Sequence, residues 1–145
     1  MAIKPGLKTL EYRGQYLPVT DMVYFASGSG IVPVLEQVKA VLPAGTSSVQ
    51  NVSVIWMNVS EKDFDAGMKS LEDEYFKYST KLAVSCVVDD IQKNSLESNS
   101  EVLEALPSFK SGTMAVVSGP SNFSDMAKKF LVSKGYSKDC ICVLA

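Results

Sequence analysis

Short apolar runs rich in β-branched residues alternate with helix-periodic segments along most of the chain, and this alternation restricts the fold more than any other sequence feature. The first run, Met22 to Ala26, leads into Ser27-Gly28-Ser29-Gly30, a strand followed by a glycine turn. Beyond Pro33, apolar residues at Val34, Leu35, Val38, Val41 and Leu42 follow one helix face until Pro43 and Gly45 stop it. Val52 to Met57 has the length and composition of a strand buried on both faces. Ser60 stands where it would cap a second helix, in which Phe64, Met68, Leu71, Tyr75 and Tyr78 recur at helical spacing. Leu82 to Val88 predicts a third strand, Asp89 to Ser100 a loop, and Glu101 to Leu106 a short helix. Thr113 to Val117 predicts a fourth strand, ending in Ser118-Gly119-Pro120. Phe123, Met126, Ala127, Phe130 and Leu131 mark a last helix closed by Gly135, and Cys140 to Leu144 a last strand.

Strands that alternate with helices join through right-handed crossovers into a parallel sheet covered on both faces. The expected fold is therefore α/β: a doubly wound five-stranded parallel sheet with helices on both faces, Rossmann-like, over residues 22–145 after an N-terminal arm at 1–21. A chain of 145 residues buries roughly 70% of its unfolded surface, enough for a core without disulfide or metal staples. A net charge of −2 offers no positive field for a phosphate backbone, so nucleic acid is not an expected partner. The chain has no histidine, which removes histidine triads, imidazole acid–base chemistry and histidine zinc sites.

Three cysteines, Cys86, Cys140 and Cys142, are too few and odd in number for a secreted disulfide framework. They point to a soluble chain in an intracellular reducing compartment, either cytosol or an organelle stroma or matrix. No apolar run reaches the roughly 20 residues of a membrane span. Cys140 and Cys142 read as free thiols, with no metal expected. Tyr75, Phe76 and Tyr78 read as core and helix rim, Glu72-Asp73-Glu74 as a solvated face, and Lys128-Lys129 as surface.

In open parallel sheets ligands sit beyond the carboxyl ends of the strands, so the informative residues follow each strand. The turn Gly28-Ser29-Gly30-Ile31-Val32-Pro33 combines glycines that permit close backbone approach with a helix start whose amides are free to meet a pyrophosphate. Proline suits that first helical turn. Ser118-Gly119-Pro120 forms a second turn of this kind.

The string Tyr24-Phe25-Ala26-Ser27-Gly28-Ser29-Gly30-Ile31-Val32-Pro33 resembles the nucleotide-binding turn of the ferredoxin-NADP reductase superfamily, and Val116-Val117-Ser118-Gly119-Pro120 resembles its later cysteine-glycine-proline turn. The resemblance runs from about Met22 to the C-terminus and implies that superfamily's C-terminal domain type. It further implies that Gly28, Ser29 and Gly30 cradle the phosphates of NAD(P), with Ile31 and Pro33 also binding the cofactor and Asn58 and Lys62 near the adenosine. Ser118, in a catalytic position, would border the nicotinamide together with Gly119 and Pro120.

The departures from the superfamily pattern concern the chemistry more than the fold. Val59-Ser60-Glu61-Lys62 lacks the arginine often found after the second strand, which favours NADH over NADPH. Ser118 replaces the turn's usual cysteine, Leu144-Ala145 supplies no terminal aromatic, and Asp89 to Ser95 stands in place of a tryptophan-glycine-arginine pattern. The FAD-binding barrel of these reductases has no room in the 21 residues before the first strand, although Lys4-Pro5-Gly6 echoes the sequence that ends it. Two expectations follow. The chain is a pyridine-nucleotide module for electron transfer with a flavin carried elsewhere, binding no FAD alone and working with another polypeptide. Alternatively it is a non-catalytic accessory subunit of a larger electron-transfer complex that keeps the reductase fold.

Overall fold

The computed structural model describes residues 9–12, 15–42, 49–89, 96 and 99–144. Pro43, Gly45, Lys4-Pro5-Gly6 and most of the expected loop after Asp89 lie outside them. Thr9–Tyr12 (β1) and Gln15–Pro18 (β2) pair antiparallel. The stretch read as an arm therefore contains a two-stranded sheet. The remaining strands are Asp21–Ser27 (β3), Asn51–Asn58 (β4), Leu82–Val88 (β5), Thr113–Ser118 (β6) and Ile141–Leu144 (β7). They form a five-stranded sheet in the order β5-β4-β3-β6-β7, with every neighbouring pair parallel. The helices are Ile31–Val41 (α1), Asp65–Lys77 (α2), Ser100–Ala105 (α3) and Ser121–Ser133 (α4).

The strand period of two sorts the core into two layers. Met22, Tyr24, Ala26, Val54, Trp56 and Val116 face α1 and α2. Val23, Phe25, Ile55, Met57, Ala115 and Val117 face α3 and α4. On the second face Phe25 meets Phe123 and Phe130 edge-on, with centroids 5.5 and 6.2 Å apart. Each fully buried side chain of this size contributes roughly 1.5–3 kcal/mol.

Several local readings need correction. The first helix begins before Pro33: a 3-10 turn at Gly28–Gly30 runs directly into α1, and Pro33 sits in the first helical turn, where its missing N–H costs nothing. Ser60 occupies the capping position, but its hydroxyl donates to the Asp63 carboxylate at 3.3 Å instead of accepting a backbone N–H. Gly135, with φ of +96°, closes α4 as expected. Cys140 belongs to a 3-10 turn before β7, although it shares a core layer with Cys142. Burial raises the pKa of all three thiols. On α2, Glu74 is buried, whereas Tyr75 is half-exposed and Phe76 is 81% exposed, so neither the acidic triplet nor the aromatic cluster is uniform. Among the described residues no group of three or more metal-ligating side chains converges, and no helix is long and apolar enough to cross a membrane.

At the amino end of the sheet, Asp21 binds adjacent elements together. Asn51 Nδ2 donates to it at 2.8 Å, Thr20 Oγ1 at 3.1 Å, and Lys110 Nζ lies 3.1 Å away. Burial pushes this carboxyl upward, but the hydrogen bonds from Asn51, Lys110 and Thr20, with the charge of Lys110, outweigh it and hold the pKa below 3.8. The native pKa lies below the unfolded one, so the network contributes stability above pH 3.8 and loses it as acid protonates Asp21. Asp21→Asn should therefore melt below the parent at neutral pH, with the gap narrowing as pH falls below 3.8. A gap that stays constant through that range would contradict this assignment.

Candidate functional site

β3 is central in the sheet: the chain leaves it through α1 to β4 and on to β5 at one edge, then returns to β6 on its other side and passes through α4 to β7 at the opposite edge. A crevice opens at the carboxyl ends of strands where connection direction changes. Here a cleft of about 360 Å³ is lined by residues that include Ser27, Gly28, Ser29, Trp56, Asn58 and Asp63. A larger cavity of about 690 Å³ lies between α2 and β5 at the sheet edge. That cavity lies away from the turns that follow β3 and β6, so the smaller cleft is the candidate site.

The two glycines of the first turn have different physical roles. Gly28 has φ of +58°, and a Cβ there would meet only Asn58 Oδ1 at 3.9 Å, so it is required by backbone conformation. Gly30 is required by proximity: a Cβ would sit on the Ser118 carbonyl oxygen, 2.6 Å from its carbon and 3.0 Å from the Gly119 nitrogen. The missing side chain at Gly30 thus makes room for the second turn. Gly119 is equally confined, since a Cβ would lie 2.7 Å from the Phe123 ring and 3.3 Å from Ser27 Cβ. The turns after β3 and β6 are thus in direct backbone contact.

The 3-10 turn and α1 make one continuous helical segment from Gly28 to Val41. The first amides of such a segment have no intrahelical acceptor, and the segment's dipole is positive at that end. Ser29 is exposed at the tip, whereas Ile31 is 2% exposed and its N–H is already bonded to the carbonyls of Gly28 and Ser29. Ile31 therefore lines the cleft with its N–H already engaged in the turn. Asn58, 5% exposed at the end of β4, lines the cleft, and its side-chain Nδ2 has no hydrogen-bond partner. A buried donor left unpaired costs about 1–3 kcal/mol unless a ligand or water satisfies it. Val59 and Asp63 complete that wall. Lys62 is exposed and is not among the lining residues, as are Pro33 and Pro120. Ser118 is 3% exposed, with its backbone against Gly30.

No family model and no curated protein matches the sequence. Solved structures do match in fold. The CS-b5R domains of human Ncb5or in the NAD+ form align over 88% of this chain and 37% of theirs, with a TM-score of 0.61 and 18% identity. Flavohemoglobin from Malassezia yamatoensis with bound FAD and heme aligns over 86% of this chain and 31% of its own, at 0.64 and 19%. The ferredoxin reductase in carbazole 1,9a-dioxygenase aligns over 86% and 37%, at 0.61 and 18%. The chain has the fold of a ferredoxin reductase C-terminal domain. It spans roughly a third of the length of each of these structures.

The turn contact and the tryptophan beneath the first turn escaped the sequence reading because both join residues far apart in the chain. A glycine inside α2, Gly67, was a usable signal for the tryptophan. A Cβ at Gly67 would press 3.0 Å from the Trp56 ring.

Proposed function

We propose that the cleft holds a pyridine dinucleotide, with its phosphates against the amides at Gly28–Gly30 and a polar oxygen taking the Asn58 amide. The observation that carries this reading is the unpartnered Asn58 Nδ2, buried beside a positive-φ glycine turn at a helix start. When bound, the nicotinamide supplies the hydride. The chain's residues bind and orient the dinucleotide, and the flavin that exchanges electrons with it is carried elsewhere. The neighbours in fold support this division of labour, since one is described in an NAD+ form and another with bound FAD, and this chain spans about a third of each. Alone, the chain retains no FAD, and it works with another polypeptide.

NADH is the favoured form. Asp63 lines the cleft and Lys62 does not, so a 2′-phosphate would meet a carboxylate without a cation among the lining residues. The alternative, an accessory subunit without hydride transfer, has Ser118 on its side: at 3% exposure its side chain is poorly placed to meet a nicotinamide.

Calorimetric titration of the full chain with NADH and NADPH separates the readings. The module reading expects micromolar binding, tighter for NADH, and roughly tenfold weaker binding in Asn58→Leu, about 1.4 kcal/mol. Absence of binding to either nucleotide would leave the accessory subunit as the better account. A tenfold preference for NADPH would overturn the NADH assignment alone.

A further inference from the structure

Trp56 is the chain's one tryptophan, and it stands beneath the first turn. Strand β4 directs it into the layer shared with α1 and α2, where it is 1% exposed. Phe64 meets its ring edge-on, with centroids 5.0 Å apart. Helix α2 comes close because it presents Gly67 there, leaving the ring the volume a side chain would fill. Held on these sides, the indole Nε1–H donates to the Gly28 carbonyl oxygen at 3.0 Å.

That bond acts on the amide next to it. The Gly28 carbonyl and the Ser29 N–H belong to one peptide unit, which is planar and trans, so the two groups point in opposite directions. A carbonyl drawn toward the buried indole turns the Ser29 N–H away from the core. Within the turn the Gly28 carbonyl also accepts from the Ile31 N–H, so the indole is the bond that ties it to the strand below, in a Gly-Ser-Gly sequence whose backbone is intrinsically among the least restricted. Amides that bind an anion well are already oriented before it arrives.

We propose that Trp56 is a positioning residue for the anion-binding amides, acting through the Gly28 carbonyl to fix the Gly28–Ser29 peptide. The inference rests on the dinucleotide reading of the cleft. It deepens that reading by naming the side chain in the cleft wall that preorganises the turn.

Because the chain has a single tryptophan, expression in a tryptophan auxotroph can replace Trp56 alone by 3-benzothienylalanine, which keeps the ring shape and substitutes sulfur for N–H. Three quantities are compared with the parent: the thermal midpoint, the NMR order parameters of the Ser29 and Gly30 amides without ligand, and the NADH Kd. The expected result is a nearly unchanged midpoint, lower order at both amides, and binding weakened about fivefold, the scale of one net hydrogen bond. Trp56→Phe, which also removes the donor, should move the order parameters and Kd in the same direction. Unchanged order parameters in both chains overturn the inference, and so does unchanged affinity despite lowered order. If the parent binds neither NADH nor NADPH, the dinucleotide reading fails, and the order parameters still decide whether Trp56 fixes the turn.

Discussion

Gly30→Ala should lower stability by roughly 3 kcal/mol and the thermal midpoint by roughly 10 °C, an effect out of proportion to one added methyl group. The methyl would press into the Ser118 carbonyl oxygen, and the atoms it meets are backbone with no rotamer to yield. Relief would require separating β3 from β6 at their carboxyl ends, along a pair in register from Asp21↔Thr113 to Ala26↔Ser118. Gly28→Ala is the instructive contrast. Its neighbourhood is open, and its cost is the left-handed backbone alone, about 1–2 kcal/mol. Thermal denaturation of both variants checks the ordering, and a Gly30→Ala protein that melts with the parent would refute the backbone contact.

Phe123→Ala should cost about 3–5 kcal/mol, the range for emptying a buried aromatic site. Phe123 has no exposed surface, packs edge-on against Phe25, and fills the space directly behind Gly119. The loss therefore reaches the second turn as well as the core. We expect chemical denaturation to show the lower stability with an unchanged m-value, and NADH binding to weaken even where the variant is fully folded. A variant that loses stability yet binds NADH as tightly as the parent would mean that the second turn plays no part in binding.

The strands and helices were legible because their signals are local. Phe123, Met126, Ala127, Phe130 and Leu131 lie on one face of α4, and Gly135 ends it with the positive φ that glycine favours. The hairpin β1–β2 also left a trace, since Thr9–Tyr12 and Gln15–Pro18 flank Arg13-Gly14, a two-residue connection with glycine. Its strands are only four residues each, too short to stand out beside the longer alternation that follows. The site was legible by position and opaque in its parts. Strand–glycine–helix syntax marks Gly28 and Gly30 alike, but it cannot tell a glycine needed for its φ from one needed because another strand's backbone passes close by. Glu74 and Phe76 exchanged their expected environments for a related reason: helical spacing orders residues around α2, while the neighbours of that helix decide how wide the buried stripe is.

The backbone contact between Gly30 and Ser118 also bears on the order in which the protein assembles. The two halves of this clasp are separated by almost ninety residues, so closing it is among the most entropically costly loop closures in the fold. A nascent chain that has made β3, α1 and β4 already owns every residue of the first turn, yet nothing braces Gly30 until β6 docks beside β3. On the dinucleotide reading proposed above, competence to hold the ligand follows this late, long-range event, and a ligand selective for the closed clasp would distinguish completed molecules from those still waiting for their fourth parallel strand.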